Sequence, residues 1–286
     1  MRRVLPVFSI LLVLFASWTA LAQEQKSRLG VNYFKRANDR YAKGDVEGAI
    51  ADFDAAIIFD PHFALAYNNR GAARERRGDL DGAIADYSRA VEINPRLVEG
   101  YANRSKARLA RRDLDGALAD SDQAIKLKPR LAQLYNTRGA VRCEKGDLDG
   151  AIADYGRAIQ IDPKLAESYS NRGVIRRARG DLDGALADYN RTLKINPRLP
   201  NTYNNRGNVW RDKGRVEEAI ADFDKAIELD PGLALAYASR GLARLSQGKT
   251  VEAEQDFARS LKLDASLRPF IEEGIRDTKR QIAQHQ

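Results

Sequence analysis

Arginine and aspartate recur in this chain at one fixed interval, and either could bind ions, move protons or pair with the other. Arg36, Arg70, Arg104, Arg138, Arg172, Arg206 and Arg240 stand 34 residues apart, as do Asp52, Asp86, Asp120, Asp154, Asp188, Asp222 and Asp256. A second arginine column lies four residues after the first and is broken once, by Trp210. Residues suited to covalent or metal chemistry are scarce: His62, His285 and Cys143 are the only histidines and cysteine. No His/Cys cluster or Ser-His-Asp set can be assembled from them. The glycines follow the same interval and form no phosphate loop. We therefore expect no enzyme, no metal, no cofactor and no small-molecule substrate.

The interval extends to other residues. Tyrosine occupies Tyr33, Tyr67, Tyr101, Tyr135, Tyr169, Tyr203 and Tyr237, and proline recurs from Pro61 to Pro231. A period in the range of 20–50 residues marks a solenoid of stacked supersecondary units. Residues 64–97 show one unit, numbered as positions 1 to 34. Positions 1–14 are rich in helix formers and end at Gly78, a C-cap candidate. Asp79 suits the N-cap of a second helix. Ala83, Ile84, Tyr87, Ala90, Val91 and Ile93 give that helix one apolar face. Asn94-Pro95 ends it. Position 8 is Ala37, Gly71, Ser105, Gly139, Gly173, Gly207 or Gly241, and position 20 is always alanine, as close helix approach requires.

Tyr67, Gly71, Ala83, Tyr87, Ala90 and Pro95, with their equivalents over about 30–267, resemble the tetratricopeptide repeat. The resemblance implies an all-α, right-handed α-solenoid of seven hairpins: 30–63, 64–97, 98–131, 132–165, 166–199, 200–233 and 234–267. Residues 268–286 then form a C-terminal capping helix, since Phe270, Ile271, Ile275 and Ile282 follow a helical period. A free partner-binding tail is the other reading of that segment. The family mostly builds protein-binding scaffolds.

The chain departs from the family at positions 7, 11 and 23, where apolar residues are usual. Arginine at 7 and aspartate at 23 predict bridges within or between hairpins: Arg70, Arg104, Arg138, Arg172 and Arg206 with Asp86, Asp120, Asp154, Asp188 and Asp222. One aspartate per repeat would answer only one of the two arginines, leaving a positive surplus. The rival reading is capture of acidic ligands. Acids and bases alternate through every hairpin and no basic tail occurs, so nucleic acid is not expected as a partner.

The resemblance puts the first helix of each hairpin on the inner, concave face. Candidate groove residues are Asn69, Asn103, Asn136, Asn171, Asn204, Asn205, Asn208 and Lys106. Asn38 and Asn68 belong to the same columns. Amides at fixed spacing can bond a peptide main chain without reading its side chains; equally, they can tidy polar satisfaction along the helix. Arg177 and Arg211 beside Trp210 form the richest cluster, suited to an acidic or aromatic partner, although Trp210 is equally an arginine replaced by core filler. A carboxylate clamp known in the family is absent in register, because Phe34, Glu99 and Asn103 occupy its basic positions.

Outside the repeats, Arg2-Arg3, an apolar run from Val4 to Trp18 and Ala20-Leu21-Ala22 read as a signal peptide, residues 1–22, with 23–29 as a short leader. Cleavage removes two arginines and lowers the formal charge from +8 to +6. The expected location is periplasmic, with membrane contact only if the segment stays uncleaved as an anchor. The sequence thus points to a non-catalytic scaffold for a protein or extended peptide. The alternative is a structural component of an envelope assembly, docked through hairpin edges or the C-terminal helix.

Overall fold

The computed structural model describes the backbone of residues 5–284 and the side chains of residues 24–280 and 282–284. The chain is all-α. Its helices are α1 (Leu5–Ala42), α2 (Val46–Phe59), α3 (Ala64–Arg77), α4 (Leu80–Ile93), α5 (Val98–Ala110), α6 (Leu114–Leu127), α7 (Ala132–Glu144) and α8 (Leu148–Ile161). They continue as α9 (Ala166–Ala178), α10 (Leu182–Ile195), α11 (Pro200–Asp212), α12 (Val216–Leu229), α13 (Ala234–Ser246), α14 (Thr250–Leu263) and α15 (Arg268–Gln284). A 3₁₀ turn, Ala265–Leu267, precedes the last helix, and no strand occurs among the described residues.

Each helix has local causes. Asp45, Asp79, Asp113, Asp147 and Asp181 cap the second helices by accepting the N–H of Gly48, Gly82, Gly116, Gly150 and Gly184. These glycines are obligatory for that rotamer, because a Cβ at Gly82 would lie 2.4 Å from the Asp79 carboxylate. Where Arg215 and Lys249 replace the aspartate, Glu218 and Glu252 replace the glycine. The second helices stop where Asn94, or its equivalents Asp60, Asp162, Asn196 and Asp230, accepts the N–H two residues on, closing an Asx-turn around the proline. The tight turn inside each hairpin needs one left-handed residue, which is Gly44, Gly78, Gly146, Gly180, Gly214 or Gly248. In the third hairpin it is Arg112, at φ 62°.

The chain divides into two compact units, 1–145 and 146–286, at the turn of the fourth repeat. In the first unit α1/α2, α3/α4 and α5/α6 pair as hairpins and α7 packs on α6 and α5. In the second, α8 packs on α9, then α9/α10, α11/α12 and α13/α14 pair, and α15 lies along α13. The aromatic at position 24 lies on the small residue at position 8: a Cβ on Gly71 would sit 2.7 Å from the Tyr87 ring, and one on Gly207 would sit 2.7 Å from Phe223. The third hairpin replaces this contact with Ser105, whose hydroxyl is 2.8 Å from the Ala117 carbonyl and 2.7 Å from the Ser121 hydroxyl. Ile271 of α15 is buried against Ala238, Leu242 and Leu245, with Leu267 and Ile275 beside it.

Helix α1 runs without a break through residues 23–29 into the first repeat. The expected signal segment, 1–22, lies outside the residues whose side chains are described. Among the described residues, no helix is long and apolar enough to cross a membrane.

Candidate functional site

The helical hairpin brings position 7 of its first helix against position 23 of its second. Arg70 donates from Nε and Nη2 to the two oxygens of Asp86 at 2.9 and 2.6 Å, and Arg74 adds a third bond at 2.9 Å. Asp120 receives Arg104 and Arg108, Asp188 receives Arg172 and Arg176, and Asp256 receives Arg240 and Arg244 in the same way. Asp52 takes Arg36 and Arg40. All of these carboxylates are buried. The expected surplus of one arginine per repeat is therefore corrected: one carboxylate has two oxygens and enough lone pairs for both guanidinium groups. Asp222 is the exception and holds Arg206 alone.

Trp210, the reason for that exception, does not lie in the groove as expected. Position 11 faces the second helix, so the half-buried indole packs at the edge of two core clusters, one of Ala185, Leu186, Tyr189 and Val209 and one of Ala219, Phe223 and Ala243, with Arg215 over its ring at 5.5 Å.

The remaining Nη1 of the position-7 arginine links hairpins. It reaches Asp54 from Arg70 at 2.5 Å, Ser88 from Arg104 at 3.0 Å, Asp122 from Arg138 at 2.8 Å, Asn190 from Arg206 at 2.7 Å and Asp224 from Arg240 at 2.6 Å. Each of these guanidinium groups also rides over the tyrosine three residues before it, as Arg36 does over Tyr33 at 4.9 Å and Arg70 over Tyr67 at 5.3 Å. The hydrogen bond from Arg36 holds the Asp52 carboxyl below its usual range, and the bond to Asp222 raises the Arg206 pKa despite desolvation. Asp154 is buried like its equivalents.

A second set of links was not anticipated. Position 14 of one hairpin pairs with position 18 of the hairpin before it: Arg77 with Glu47 at 3.3 Å, Arg111 with Asp81 at 2.8 Å and Lys213 with Asp183 at 2.8 Å. Lys145–Asp115 and Arg179–Asp149 follow the same rule. The signal was present as a basic column and an acidic column, obscured because neither keeps one residue type.

Neighbouring first helices touch in a row in each unit, α1–α3–α5–α7 and α9–α11–α13, making that row the crowded inner side. In the first unit its amides bond one another. Asn103 donates to Asn68 at 3.2 Å, Asn68 to Asn69 at 3.0 Å, Asn69 to Asn38 at 2.7 Å and Asn38 to the Phe34 carbonyl at 2.9 Å. Asn69 and Asn103 are half-buried, while Asn136, Asn204 and Asn208 are buried rather than displayed. Asn171 and Asn205 are half-buried and Lys106 is exposed. Arg177 donates to Asp212 at 2.6 Å. Arg211 has no hydrogen-bonded partner among the described residues; burial lowers its pKa, Asp212 opposes that shift and Arg177 adds to it.

The remaining reactive groups are isolated. His62 is exposed in a turn, His285 lies outside the described residues, and burial followed by Glu144 pushes the Cys143 thiol up. No cluster of three metal-binding side chains occurs among the described residues.

Stacked two-helix units cross-linked by side chains define a helical-repeat scaffold. Family models for the TPR repeat match residues 139–176 and 173–211, and models for the tetratricopeptide repeat match 34–97 and 200–233. Together they span more than half of the chain, which belongs to the tetratricopeptide repeat family. No curated protein matches it in sequence. Among solved structures, a tetratricopeptide repeat protein from Parabacteroides merdae ATCC 43184 is 20% identical, with TM-score 0.68 over 88% of this chain and 99% of that one. MamA is 26% identical, with TM-score 0.51 over 56% and 94%. YrrB, a TPR protein with an unusual peptide-binding site, is 22% identical, with TM-score 0.50 over 64% and 95%.

Proposed function

We propose that the protein is a non-catalytic scaffold that holds an extended segment of another protein along the inner row of first helices. The observation that carries this is the polar column at position 6, with Asn69 and Asn103 on the row of the first unit and Asn171 and Asn205 on the row of the second. Asparagine is a poor residue inside a helix, and in the first unit the bonds among Asn103, Asn68, Asn69 and Asn38 compensate for it while Asn69 and Asn103 stay half-buried on the row. Membership of a family that generally builds protein-interaction scaffolds supports the same reading. The arginine–aspartate charges between the two helices of each hairpin are already committed to each other, which leaves the inner row as the candidate recognition surface of each unit. We further propose that the protein acts in the cell envelope after export, from the character of residues 1–22; the intact mass of the mature protein tests whether that segment is removed.

Affinity capture with the full chain from an envelope extract tests the scaffold reading. The Asn171→Ala/Asn205→Ala variant should lose the captured partner, and deletion of Arg268–Gln286 should retain it. The reverse pattern would assign docking to the C-terminal helix instead.

A further inference from the structure

Unsatisfied polarity gathers at one place on the inner row of the second unit. Asn204, Asn208 and Arg211 share one stripe of α11, at i, i+4 and i+7. The Oδ1 atoms of Asn204 and Asn208 and the Oγ of Ser239, on the neighbouring α13, are buried and have no hydrogen-bond partner among the described residues. In the first unit such groups are closed by the position-6 side chain of the next hairpin, as Asn69 closes Asn38 and Asn103 closes Asn68. In the seventh hairpin position 6 is Ser239, and its buried oxygen bonds neither amide. Native interiors rarely leave such atoms unpaired, and each one calls for an explanation.

One turn further along α11, Arg211 borders an open cleft of about 540 Å³ lined mainly by α11, α13 and α15. Leu242 and Phe270 supply apolar wall, and Glu273 and Asp277 stand on α15 at its rim. Arg211 is half-buried, and its neighbouring acid, Asp212, is already bonded to Arg177. A desolvated guanidinium without a partner is a site awaiting an anion. The exposed carboxylates of α15 face the same space and favour a cation beside that anion.

We propose that this cavity receives an acidic side chain of a partner peptide on Arg211, with an adjacent basic residue of the peptide facing Glu273 and Asp277. The volume suits one or two side chains, within the range of ligand pockets. Leu242 and Phe270 cover the acid's methylene stem, so a glutamate-like group gains more than a bare anion. The assignment rests on the scaffold reading above and locates its selective end.

Selection of a short randomised peptide library on the immobilised full chain tests it. Enriched peptides should share Asp or Glu close to Lys or Arg. Such a peptide should bind Arg211→Gln at least about tenfold more weakly, and Glu273→Gln/Asp277→Asn should remove the preference for the basic neighbour. The Arg211→Gln chain should unfold at or above the temperature of the parent, because it loses an unpaired desolvated charge. A lower unfolding temperature would make Arg211 a structural residue and overturn the assignment. So would enriched peptides lacking an acid, or equal affinity for Arg211→Gln. If those peptides are lost with Asn171→Ala/Asn205→Ala, the scaffold reading stands and the Arg211 site falls; no enrichment at all overturns both.

Discussion

The Asp86 carboxylate meets Arg70 and Arg74 while only 4% of its side chain is exposed, so removing it leaves Arg74 without a carboxylate and Arg70 with Asp54 alone. Asp86→Ala should lower stability by about 3 kcal/mol in chemical denaturation. Asp115→Ala, which cuts an exposed pair with Lys145, should leave the midpoint unchanged within error. Arg206 and Arg211 give a sharper contrast, five residues apart on one helix. Arg206→Met breaks the bridge to Asp222 and should lower the melting temperature, whereas Arg211→Met removes an unpaired charge and should raise it. Acidity should act through residues such as Asp52, whose carboxyl titrates lower when folded than the unfolded value of about 3.9. Its contribution is full above that value and lost as pH falls through the folded pKa. Denaturation midpoints should therefore drop below about pH 4, with a shallower drop in Asp52→Asn.

Within an element, backbone geometry and side-chain volume set the cost of change. Arg112 holds the left-handed turn position that glycine fills in the other six hairpins, and its pairing with Glu144 at 3.4 Å is exposed. Arg112→Gly should stabilise the chain by about 1 kcal/mol, read from the thermal midpoint. Gly207→Ala should do the reverse, by about 1–3 kcal/mol, since the new Cβ would fall 2.7 Å from the Phe223 ring and 3.1 Å from the Ala219 carbonyl. Helix positions, the Asp caps and the proline stops were legible in the sequence because each depends on residues within one turn. The Ser105–Ser121 pair was not. Its meaning appears only when two helices meet and a hydroxyl pair takes the room of an aromatic ring.

At the scale of each unit, hairpins contact little beyond their neighbours. Stability in such arrays is close to a sum of local terms and nearest-neighbour interfaces. Asp86→Ala should thus speed amide exchange in α3, α4 and the adjoining hairpins while leaving α11 to α14 unchanged. Helix α15 ends the row differently, by laying Ile271 on Leu242 and Leu245. Those leucines occupy positions that are amide or charged in some other repeats, as at Asn38, Lys106, Arg177 and Arg211, and α15 supplies apolar cover there.

The sequence by itself determined the all-α hairpin repeat, the family and the pairing of arginine 7 with aspartate 23, because a strict 34-residue period leaves each position one environment to serve. Tertiary structure decided how those groups were used. Only with helices packed does one aspartate take two arginines, Trp210 lie at the edge of two core clusters and the amides of the first unit close on each other. Arg211 shows the limit most clearly: its residue type and spacing marked it, but the missing partner and the cavity beside it depend on where α13 and α15 come to rest.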